Sequence, residues 1–112
     1  MHIFNLNSKP HLIISSQDLL FRHNETDNQL HKHRLNEIKK ISLIHRYSPE
    51  NELFVWLQIQ VNDQHTPYFV QISSLYEPLE EVLDILRDEL QEKVKLSLPR
   101  NSFLTTLRTR YK

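Results

Sequence analysis

Apolar positions recur every second residue in short runs up to Ile72, and a spacing near 3.6 takes over from Pro78. The first pattern predicts six or seven short strands. The second predicts one long amphipathic helix over Pro78–Val94. The clearest strand is Glu52–Val61, where Leu53, Val55, Leu57, Ile59 and Val61 share one face and Phe54, Trp56, Gln58 and Gln60 share the other. Thr66–Ile72 returns from it, with Tyr68, Val70 and Ile72 together.

Upstream, His2–Leu6 reads as a short edge strand broken at Lys9-Pro10, since proline cannot donate to a ladder. His11–Ser15 and Asp18–His23 follow as apolar runs. The polar stretch Asn24-Glu25-Thr26-Asp27-Asn28 is a hairpin tip, and Gln29–Leu35 returns with His31 and His33 on one face. Leu35, Ile38 and Ile41 are spaced by three, a single helical turn or a tight bend. Ile41, Leu43 and His45 restore the spacing of two. Ser48-Pro49-Glu50-Asn51 is a turn with proline at a favoured position.

In the helix, Leu79, Val82, Leu83, Leu86, Leu90 and Val94 form the apolar stripe. Pro78 suits the first helical position, and Glu80 and Glu81 complement the positive end of the dipole. Ser74 with Glu77 is an alternative capping box one turn earlier. Pro99 is the latest end for this element. Beyond it, Phe103, Leu107 and Tyr111 sit on a short last helix or an extended tail.

Strands first and one helix last predict an α+β fold: a bent antiparallel sheet, or half-open barrel of six to seven strands, capped by a C-terminal helix. An open sheet with one helix across it, of cystatin-like or two-layer order, is the alternative. One domain over residues 1–98 and a basic extension over 99–112 account for all 112 residues.

Composition narrows the chemistry. Lys plus Arg equals Asp plus Glu at 14 each, so net charge favours no class of partner. No cysteine is present, which removes disulfides, thiolate metal sites and thiol nucleophiles and fits a reducing compartment. The N-terminal residues lack the apolar core of a signal peptide, and no apolar run approaches a bilayer span of about 18–20 residues. A cytoplasmic location is the expectation. Glycine is absent, where about 7% is usual, so phosphate loops and dinucleotide fingerprints are excluded. Reversals must use Asn and Asp, the residues that best tolerate left-handed backbone.

Leu12-Ile13-Ile14, Asp18-Leu19-Leu20-Phe21, Leu35–Ile41, Leu53–Gln60, Tyr68–Ile72 and Leu79–Leu90 succeed one another in an order that resembles a bacterial pleckstrin-homology-like (PH-like) domain. The resemblance covers Leu12 to Leu90. It implies a bent antiparallel sheet closed at one end by the helix. Many family members end that helix with a packed Trp, whereas the single Trp here is Trp56, on a strand. Phosphoinositide-binding members cluster Lys and Arg at the first strand connection. Here that connection is Ser15-Ser16-Gln17-Asp18, or it holds only Lys9.

Four groups of residues are candidates for chemistry. His31 and His33, with His23 across the hairpin, have the alternate spacing of a metal pair. They are read as a solvent-facing polar strand face, and no metal or other cofactor is assigned to them. Glu77–Asp84 with Asp88, Glu89 and Glu92 offers paired carboxylates, but such runs are usually a solvated helix face. No nucleophile or acid–base motif accompanies them, so the expectation is a protein that is not an enzyme. Lys93, Lys95, Arg100, Arg108, Arg110 and Lys112 are six bases with no acid among them over residues 93–112. That segment either meets anionic lipid or nucleic acid, or docks on its own domain through Phe103, Leu107 and Tyr111 with its charges merely solvated. Phe54 and Trp56 lie opposite the core face of their strand. They are either covered by the N-terminal strand or the C-terminal tail, or they dock a protein partner or a second copy. The expected function is an interaction module that binds protein or self-associates through a sheet edge or this aromatic face. Anionic-surface binding through the basic tail is the alternative.

Overall fold

The computed structural model describes residues 1–23 and 29–98. β1 (His2–Leu6), β2 (Lys9–Ile14), β3 (Asp18–Phe21) and β4 (His31–Arg34) pair in that order as one antiparallel sheet. A 3-10 turn over Leu35–Glu37 leads into β5 (Ile38–Tyr47), β6 (Leu53–Val61) and β7 (Tyr68–Gln71), then α1 (Leu79–Leu90) and β8 (Leu96–Ser97). The second sheet has the order β7-β6-β5-β8, with β8 parallel to β5. The class is α+β, as expected. The strands divide into two four-stranded sheets, and among the described residues no ladder joins one sheet to the other.

Each predicted strand and the main helix has a counterpart, with shifts that have physical causes, and the last helix or tail beyond Pro99 lies outside the described residues. The first reversal is at Asn7 and Ser8, not at Lys9-Pro10. Both residues hold positive φ, 52° and 65°, as a two-residue type I′ hairpin requires, and Leu6 pairs with Lys9 across it. Pro10 sits inside β2 opposite Asn5, where a register shift between Phe4 and Asn5 relieves the ladder of the missing N–H. Asn51 and Asp63 hold φ of 65° and 64° at the β5–β6 and β6–β7 turns. The polar residues thus take left-handed positions that glycine fills elsewhere. The tip over residues 24–28 lies outside the described residues.

The helix is shorter than the apolar stripe. It ends at Leu90, and Val94, still buried, belongs to the turn that leads into β8. Stripe spacing reports burial, and burial continues past the last helical hydrogen bond. Pro78 is the N-cap and not the first helical residue, and no side-chain hydrogen bond caps the helix among the described residues. The Ser74–Glu77 capping box is not formed. Glu77 instead accepts the Asn5 backbone N–H at 3.3 Å, tying the loop before α1 to β1.

One core lies between the sheets and the helix. Val55, Leu57 and Ile59 of β6, Leu12 and Leu19 of the first sheet, and Val82, Leu83, Leu86 and Leu90 of α1 are all fully buried. Each such side chain contributes about 1.5–3 kcal/mol relative to exposure. The helix sits beside β1: the Tyr76 N–H donates to the Asn5 carbonyl at 2.9 Å, and His2 Nε2 lies 3.1 Å from Glu89 Oε1. Its exit turn reaches β5, where the Ile41 N–H donates to the Lys95 carbonyl at 2.9 Å. At the opposite side, Tyr68 of β7 packs on Phe21 of β3, with ring centroids 5.1 Å apart.

Candidate functional site

β5, β6 and β7 present their second face outward. Register decides which residues meet there: Ile44 is opposite Trp56, Trp56 opposite Gln71, Arg46 opposite Phe54, and Gln58 lies between Ser42 and Phe69. Side chains two apart on a strand project together, so Phe54 and Trp56 stack, with centroids 6.1 Å apart and planes 28° apart. Both are partly exposed. Ile44 is 37% and Phe69 38% exposed beside them. Ile44, Arg46, Trp56 and Phe69 line an open groove of about 270 Å³.

The electrostatics of this face follow from its sequence. No Asp or Glu occurs in β5, β6 or β7, while Lys39, Lys40 and Arg46 lie on β5. The surface is therefore apolar at its centre, amide-bearing along Gln58, Gln60 and Gln71, and positive at Arg46. Phe54 and Trp56 were expected opposite the core, and they are. β1 pairs with β2 in the other sheet, away from them. Ile44, Arg46 and Phe69 were missed. Pairing the two strands about the Ser48–Asn51 turn would have found Ile44, because that reversal sets it opposite Trp56.

The histidines differ from expectation. His31 and His33 alternate with exposed Lys32 and Arg34 and point inward, partly buried, where a solvent-facing row was expected. His33 stacks on Phe21 at 5.7 Å and lies 5.4 Å from Tyr68. His31 lies 5.6 Å from Tyr68, and His23 lies 5.4 Å from it. These are ring contacts, and among the described residues no group of three His, Asp or Glu side chains is placed to hold a metal. Burial lowers the His33 pKa from its ordinary 6.5. Glu37, with Oε2 4.0 Å from His33 Nδ1, opposes that shift, and neighbouring His31 adds to it.

The acidic run lies on the outer side of α1, where Glu81, Asp84 and Asp88 are exposed and Asp84 pairs with Arg87 at 3.2 Å, and Glu92 is exposed in the turn that follows. Lys93 Nζ donates to the Ser16 carbonyl at 3.1 Å, and Lys95 is exposed in the turn before β8. Arg100, Arg108, Arg110 and Lys112 lie outside the described residues. No helix among the described residues is long and apolar enough to cross a membrane. No family model, curated protein or solved structure matches this chain.

Proposed function

We propose that the chain is a non-enzymatic interaction module of PH-like type that docks protein on the outer face of β5–β7, in the cytoplasm. The observation that carries this reading is the cluster of Ile44, Phe54, Trp56 and Phe69 around Arg46, partly exposed on three strands without a single carboxylate. Apolar groups gathered on one face, with a cation at their edge, have the composition of an interface centre, where aromatics and Arg are enriched and acids depleted. The PH-like type rests on the resemblance of the sequence over Leu12 to Leu90. Fold alone assigns no ligand, so the site carries the argument.

A photo-activatable aromatic crosslinker placed at Phe69 tests the reading in cells. Covalent adducts are expected at position 69 and not at Asp88 on the solvated helix face. Trp56→Ala should weaken the same association about tenfold or more, as truncation of a central aromatic does. Its unfolding midpoint should stay close to wild type, since the core lies on the other face of β6. Equal labelling at both positions, or association indifferent to Trp56→Ala, would remove the proposal.

A further inference from the structure

We infer that the groove takes Tyr76 of a second copy of this chain, an assignment that rests on the outer face of β5–β7 being a docking surface. Tyr76 is 89% exposed, the most exposed large side chain of apolar character among the described residues. It is not on a loose loop. Its N–H donates to the Asn5 carbonyl at 2.9 Å, Leu75 before it and Leu79 after it are buried in the core, and Pro78 fixes the backbone between them. An aromatic ring is thus held out into water on a well-anchored stretch of backbone, so little ordering entropy opposes its docking.

The chemistry around the ring matches the groove. Glu77, Glu80 and Glu81 follow Tyr76 within five positions, and Glu81 is exposed. The groove offers apolar walls from Ile44, Trp56 and Phe69, a guanidinium from Arg46, and no carboxylate on any of its three strands. A tyrosine has an apolar body and a polar tip. The ring suits the aromatic walls, and the amides of Gln58 and Gln71 flank them as partners for its hydroxyl. The carboxylates beside the ring complement Arg46, with Lys40 further along the same strand. Knob and groove are different patches on one chain, so the contact is heterologous. Each copy carries one of each, and association runs head to tail until a ring closes.

Sedimentation of the full chain over a range of concentrations tests this. Wild type should gain mass with concentration, more so at low salt, because part of the attraction is between charges. Tyr76→Ala and Arg46→Glu should each be monomeric alone. Mixed, they should form a one-to-one complex that grows no further, since each variant keeps the half that the other has lost. Tyr76→Phe should retain most of the association. Wild type that stays monomeric throughout, or a mixture that forms no complex, overturns the inference. So does a Tyr76→Ala variant that associates like wild type. If that association is lost with Trp56→Ala, the docking face stands and only its occupant is wrong. The crosslinked mass at position 69 separates the same two failures, because a second copy doubles the mass of the chain and another partner does not.

Discussion

The two sides on which the sheets are closed use different chemistry. Beside β1, α1 lays Leu79, Val82, Leu83, Leu86 and Leu90 into the core, and none exceeds 3% exposure. Beside β4, β7 supplies Tyr68, packed against Phe21 and the imidazoles of His23, His31 and His33 at 5.1–5.6 Å. Both remove apolar surface from water. Only the second packs imidazoles against the rings, and burial there lowers the His33 pKa. The helix side is an aliphatic anchor with the His2–Glu89 pair at its surface, and the ring side is a closure that includes the part-buried His33. The helix side is also where Tyr76 is held.

The largest effect should come from the aliphatic side. Leu83→Ala removes a fully buried side chain and should cost about 2–5 kcal/mol in denaturant unfolding, at every pH where the protein is folded. Tyr68→Ala should cost less, about 2–3 kcal/mol, because its ring is only partly buried. Its loss should also flatten the pH dependence. If Tyr68→Ala proves as costly as Leu83→Ala and leaves that dependence intact, the contrast between the two sides disappears.

A pH titration sharpens the difference. The His33 pKa is lowered in the folded state, chiefly by burial, with Glu37 opposing and His31 reinforcing. The unfolded chain therefore takes up this proton first, at its ordinary 6.5. Stability from this group is complete above that value and is lost as pH falls through the lower folded pKa. Thermal midpoints should drop on acidification below 6.5, and His33→Phe should drop less. Equal slopes for the two proteins would remove His33 as the cause. The smallest effect belongs to the His2–Glu89 pair on the helix side. With side chains 39% and 42% exposed, Glu89→Gln should change stability by less than about 1 kcal/mol.

Strand and helix identities were legible along the chain because each buries one face, and burial imprints a period of two or 3.6 on the sequence. Leu53, Val55, Leu57, Ile59 and Val61 mark β6 without any knowledge of their neighbours, and the outward placement of Phe54 and Trp56 follows at once. β8 left no such mark. Two residues, Leu96 and Ser97, are too few to show a period, and their partners Ile41 and Ser42 are remote in the chain. The reversal at Asn7 and Ser8 was hidden for a similar reason, since proline at the next position but one is the stronger local signal.

Local spacing by itself determined the α+β class, the helix stripe and the two faces of β6, because these depend on contacts whose periodicity any single segment carries. Tertiary structure alone decided that the strands split into two sheets, that His31 and His33 turn inward onto Tyr68, and that Ile44, Arg46 and Phe69 gather around Trp56. Those outcomes depend on register between segments and on which sheet edge meets which. Pairwise geometry of that kind is set by the packing of distant residues and leaves no repeat in any one stretch of chain.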